Sequence, residues 1–157
     1  MSDSNLQKQR TASRSCNEDI LTDLAFRKIG NSSLYRKTGD TFILSPGISQ
    51  GKNENYWFDI REVNLKKIGS DAKAWILLRI VPSWFAFFPL AAIRQRMNQR
   101  TQDIRVNSGK VWGFYCELNE KERTIKVVPK NDKSLPYNAT LFDRTSIKAE
   151  VSAKLQI

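Results

Sequence analysis

Residues 74–93, "AWILLRIVPSWFAFFPLAAI", are the most apolar stretch of the chain. Their length is close to the roughly 20 residues that a bilayer-spanning helix needs. Three residues argue against a span: Arg79 sits inside the stretch, and Pro82 and Pro89 interrupt it. An arginine at a helix centre costs about 2.5–3.5 kcal/mol on insertion, whereas each large apolar residue returns only about 0.3–0.6 kcal/mol. Lys73 and Arg94 flank the two ends, so charge gives no orientation either. A soluble fold explains more. "WILLRIV" is an apolar run of strand length, "VPSWF" holds a Pro-Ser break, and "WFAFF" is aromatic in the way strands favour. "LAAIRQRMNQR" then brings helix formers directly after Pro89. The stretch therefore predicts strand, tight turn, strand and basic helix, with no membrane span.

Outward from it, the same rules divide the rest of the chain. Residues 1–16 are polar, contain Lys8, Arg10 and Arg14, and are expected to be a disordered basic arm. They have no apolar segment of the kind a secretory leader needs. Residues 17–157 are expected to form a single globular domain. "NEDILTDLAFRKIG" predicts a helix from Asn17, ended by Gly30. "LYRKTGDTFILS" predicts a strand pair or bent strand around Thr38-Gly39-Asp40, "PGISQGKNEN" a loop, and "YWFDIREVNL" a strand. "KVWGFYCEL" and "TIKVVP" predict a hairpin about the polar turn "NEKER". The C-terminal segment is weakly patterned, with room for a short helix or a final strand. The expected class is α/β or α+β, with a single mixed β-sheet of five or six strands flanked by helices.

Charge points to the partner. Lys and Arg number 26 against 16 Asp and Glu, a net charge of +10. Such an excess favours an anionic partner, nucleic acid and DNA first, with an anionic membrane surface as the other candidate. Cys16 and Cys116 make neither a disulfide framework nor a zinc site, and a reducing cytoplasm fits them. There is no histidine, which removes histidine triads and histidine-ligated zinc. A metal would be held by carboxylates and backbone oxygen, which suits magnesium. "GISQGKN" resembles a phosphate loop but is one residue short, and Asn53 stands where Ser or Thr would hold magnesium.

"YWFDIREVNL" carries the candidate chemistry. Strand alternation sets Tyr56, Phe58, Ile60 and Glu62 on one side and Trp57, Asp59, Arg61 and Val63 on the other. Asp59 and Arg61 become neighbours beside an indole. A carboxylate can hold a metal that lowers the pKa of bound water, while a cation stabilises charge on phosphorus. The alternative is a same-face ion pair worth about 0–1 kcal/mol.

The run Phe58-Asp59-Ile60-Arg61-Glu62-Val63-Asn64, followed by apolar strands, resembles the acidic-x-Lys strand of the PD-(D/E)XK restriction-endonuclease superfamily. The likeness covers roughly residues 38–93 in layout. It implies a magnesium-dependent endonuclease that hydrolyses phosphodiester bonds. Asp59 would be the second carboxylate, Asp40 or Glu54 the first, and Arg61 would stand in for the lysine. Arginine keeps its proton, so Arg61 would act as a cation and not as a base. A palindrome-cutting enzyme of this kind would be a homodimer.

The basic helix supplies the second candidate. Arg94, Arg96, Arg100 and Arg105 follow Pro89, and a helix would put Arg96 and Arg100 on one face. Arg36 with Lys37, and Lys66 with Lys67, would widen a phosphate-binding footprint. Three functions follow: a magnesium endonuclease, a non-catalytic DNA- or RNA-binding module, and a basic protein-interaction domain.

Overall fold

In the computed structural model, residues 17–50, 56–69, 72–80 and 84–157 are described; the expected arm, residues 1–16, lies outside them. Helical residues 17–23 (α1) come first. β1 (Arg27–Lys28), β2 (Leu34–Lys37), β3 (Thr41–Leu44), β4 (Ser49–Gln50) and β5 (Tyr56–Arg61) follow, then α2 (Glu62–Lys66). Next come β6 (Lys73–Ile80), β7 (Trp84–Pro89), α3 (Leu90–Arg94), β8 (Gln102–Arg105) and β9 (Gly109–Asn119). β10 (Thr124–Pro129), β11 (Tyr137–Thr140) and α4 (Ile147–Leu155) complete the chain.

The class is α+β, and the strands form two sheets. Sheet A has the order β1-β2-β3-β6-β7 and is mixed, β3 and β6 being its parallel pair. Sheet B has the order β11-β10-β9-β5-β4, with β8 also on β9, and is antiparallel. The link between β3 and β6 runs through β4, β5 and α2, so the crossover that a parallel pair requires is supplied by sheet B.

Alternation explains the layering. Phe42, Leu44, Ile76, Leu78, Ala86 and Phe88 of sheet A pack with Phe58, Ile60, Phe114, Cys116, Ile125 and Val127 of sheet B. The intervening residues Ile43, Leu77, Phe85 and Phe87 point the other way, onto Leu21 of α1, Leu24 just beyond it, and Ile147 and Val151 of α4. The layer of α1 and α4, sheet A and sheet B thus stack in that order. Residues 74–80 and 84–93 form antiparallel β6 and β7 and then α3, and among the described residues no helix is long and apolar enough to cross a membrane.

Three local expectations are corrected. The first helix stops at residue 23, short of Gly30. Ala25 takes φ 65°, and the Phe26 and Ala25 N–H groups donate to the Leu21 and Thr22 carbonyls at 2.8 and 3.0 Å. This closes the helix with a left-handed residue that is not glycine. Burial of Phe26 to 4% exposure offsets the roughly 1–2 kcal/mol cost of that conformation.

The strand over "YWFDIREVNL" ends at Arg61, and Glu62 begins α2. The basic helix ends at Arg94. Beyond it the Asn98 side chain accepts from the Arg100 and Thr101 N–H groups, turning the chain into β8. Arg96 and Arg100 therefore share no helical face. The Arg96 guanidinium instead donates to the carbonyls of Ala92, Leu135 and Pro136 at 2.6, 2.9 and 3.0 Å.

Candidate nucleic-acid interface

Strand β9 organises the outer surface of sheet B. β5 pairs with it along residues 111–116, with Trp57 opposite Tyr115, Asp59 opposite Gly113, and Arg61 opposite Val111. β8 also pairs with β9 and sets Asp103 opposite Val111. Phe58 and Phe114 point inward and stack at 5.2 Å. Trp57, Asp59, Arg61, Gly113 and Tyr115 therefore point outward. Among the described residues, no helix lays an apolar side on this surface: α1 and α4 pack on sheet A, while Leu65 of α2 and Leu90 and Ile93 of α3 join the inter-sheet core.

Lys130, just beyond β10, crosses this surface. Its Nζ lies 4.1 Å from the ring centre of Trp57 and 5.5 Å from that of Tyr115, within cation–π range. Gly113 makes the crossing possible. A Cβ there would stand 2.7 Å from Lys130 Cδ and 3.2 Å from Asp59 Oδ1. A strand glycine is expected where another group approaches closely.

The carboxylates of this surface are already engaged. Asp59 accepts from both terminal nitrogens of Arg105, Oδ1 at 3.1 Å from one of them and Oδ2 in short contact with the other. The Asp59 hydrogen bonds push the Arg105 pKa upward, against the opposing effect of burial, and the charges of Asp59 and Asp103 act in the same upward direction. Asp103 accepts from Asn131 Nδ2 at 3.0 Å, and Glu117 pairs with Lys126 at 3.7 Å. Arg61 is exposed and has no ion-pair or hydrogen-bond partner among the described residues. Beside it lies a hollow of about 310 Å³, lined by Trp57, Asp59, Arg61, Val111 and Ser108 together with the Pro46-Gly47 segment.

The other residues singled out from the sequence lie elsewhere. Asp40 sits in the β2–β3 turn of sheet A and pairs with Arg36 at 3.5 Å. Lys37 donates to the Leu24 carbonyl at 2.9 Å, and Lys66 pairs with Glu62 at 3.5 Å. Lys67, Arg94 and Arg100 are exposed, after α2, at the end of α3 and in the turn before β8. Glu54 lies outside the described residues. Asp59 is held by Arg105, whereas Asp40 stands in the β2–β3 turn beside Arg36. Among the described residues, no three of His, Cys, Asp and Glu gather in a way that could hold a metal ion.

Sequence reasoning missed Lys130, Tyr115 and the role of Gly113. Two signals were present. Gly113 interrupts a run of strand formers, and Asp103-Ile104-Arg105 repeats the tripeptide Asp59-Ile60-Arg61. The two tripeptides border opposite edges of β9, and Val111 between them is fully buried. No protein-family model, curated protein or solved structure matches the chain.

Proposed function

We propose that this protein binds single-stranded nucleic acid, without cutting it, across the outer surface of sheet B. The observation that carries this reading is Lys130 lying close to both Trp57 and Tyr115 on a surface where Asp59, Asp103 and Glu117 are each engaged. Sequence-tolerant recognition of single strands combines aromatic faces for bases with cations for phosphates. Trp57 and Tyr115 supply the first; Lys130 and Arg61 supply the second. The chain's net charge of +10 adds long-range attraction. Hydrolysis at Asp59 would require its carboxylate to leave Arg105, which is why binding is favoured over the endonuclease reading.

The test is fluorescence anisotropy with a labelled oligothymidylate at about 50 mM salt. Binding should weaken steeply as salt rises. Trp57→Ala should weaken it roughly 5- to 150-fold, the loss of one stacked base. An affinity unchanged in Trp57→Ala and Lys130→Ala, or no affinity at all, would overturn the reading. Magnesium-dependent plasmid cleavage that disappears in Asp59→Ala would replace it with the hydrolytic one.

A further inference from the structure

Arg61 borders a second hollow as well as the one beside Trp57. This second hollow measures about 300 Å³ and shares Ser33, Pro46, Gly47 and Arg61 with the first. It continues to Asn17 at the start of α1, Lys28 of β1 and Asn64 of α2. Its walls come from the β1–β2 connection, the segment after β3, and both helices. Among the described residues no Asp or Glu lines it, whereas Arg61 and Lys28 both do. Lys28 also pairs with Glu18 at 3.3 Å, so Arg61 is the cation without a described partner.

The remaining lining is built for hydrogen bonding. Asn17 and Asn64 are 3% and 4% exposed. The Ser45 hydroxyl donates to the Leu77 carbonyl at 3.0 Å and accepts from Asn17 Nδ2. A hydroxyl has one proton, so this chain fixes which way the Asn17 amide faces. This leaves the Asn17 Oδ1 buried without a hydrogen-bond partner among the described residues.

We infer that this second hollow receives a phosphate monoester, the terminal phosphate of a bound strand, with Arg61 as its principal anchor. The inference rests on the single-strand reading above and names the part of the strand that enters. A phosphodiester within a chain must continue in both directions, whereas a monoester has only one continuation. That continuation can run past Arg61 to the Trp57 hollow. A monoester also carries up to two charges and three acceptor oxygens. A guanidinium grips such a group with two parallel hydrogen bonds, and the Lys28 ammonium and the Asn64 amide are the donors for the remaining oxygens, the Ser32 and Ser45 protons being given to the Ile29 and Leu77 carbonyls.

The experiment is competition against the labelled oligothymidylate by unlabelled strands of equal length, carrying a 5′-phosphate, a 3′-phosphate or hydroxyls at both ends. One phosphorylated end should compete about tenfold better than the hydroxyl-ended strand, a preference of about 1.4 kcal/mol. Arg61→Gln should abolish the preference. Lys28→Gln should reduce it as well. Equal competition by all three strands would overturn the inference and leave strand binding standing. Should no strand bind, thymidine monophosphate against thymidine, followed by amide shifts in NMR, separates the two readings. Shifts specific to the monophosphate and lost in Arg61→Gln would support the phosphate pocket with a free nucleotide as occupant. Equal or absent shifts would overturn it.

Discussion

The Asp59 carboxylate receives both arms of the Arg105 guanidinium from the far side of strand β9. The pair joins β5 to β8, two strands that share no backbone pairing, and it lies on the outer side of sheet B. Its side chains are 20% and 35% exposed, so the interaction is screened but not dissolved by water.

That geometry sets the first expectation. Two-point arginine–carboxylate contacts exceed single surface ion pairs. A double-mutant cycle of Asp59→Ala and Arg105→Ala, followed by urea unfolding, should give a coupling of about 1 kcal/mol. Additive single effects would mean that the contact contributes nothing to stability.

Gly113→Ala tests the crossing of Lys130. The added methyl meets the flexible lysine stem first, so the fold should survive with a stability change of roughly 1 kcal/mol or less. Lys130 should move off the Trp57 ring. Oligonucleotide affinity should then change with it, and the NMR signals of the Trp57 indole should shift. An unperturbed indole would show that Lys130 does not need the space.

Cys116 packs fully buried between the sheets, and burial pushes its thiol pKa up. In a Cys16→Ser background it should stay unreactive toward a thiol reagent at pH 8 until the chain unfolds. Reaction at the rate of an exposed thiol under native conditions would contradict the packing of Phe58 and Phe114 beside it.

Asp143 lies three residues ahead of Ser146, the N-cap of α4. Hydrogen bonds from the Ser146 hydroxyl, the Thr145 hydroxyl and the Ser146 N–H hold its pKa at about 2, below the ordinary value of 3.8. Its native state binds protons less readily than its unfolded state. The stabilisation is therefore complete above about pH 4 and lost as pH falls toward 2. Amide exchange at Val151 should quicken through that window, and Asp143→Ala should flatten the dependence. An unchanged profile in the variant would assign the acid limit to other carboxylates.

Local pattern carried much of the fold. The interrupted apolar stretch at 74–93 reads as two strands because Arg79, Pro82 and Pro89 forbid a span, and β6, β7 and α3 occupy its described residues. The outward pointing of Trp57, Asp59 and Arg61 follows from a period of two that any strand obeys. Helix ends were less legible. Ala25 adopts a left-handed conformation because Phe26 is buried against sheet A, a fact with no local signature. The stretch after Arg94 leaves the helix because Arg96 and Asn98 bond to distant or turning backbone.

By itself, the sequence determined charge, the absence of histidine, strand alternation, and the side of β5 that presents Asp59. Only the tertiary structure decided that Arg105 meets that carboxylate, that Lys130 passes over Gly113, and that Arg61, without an ion-pair partner among the described residues, stands between two hollows. The physical reason is range. Alternation is set by neighbouring dihedrals, whereas ion pairs and close approaches depend on which strands lie side by side and in what register. Pairing of β5 and β8 on opposite edges of β9 brings together residues 46 positions apart.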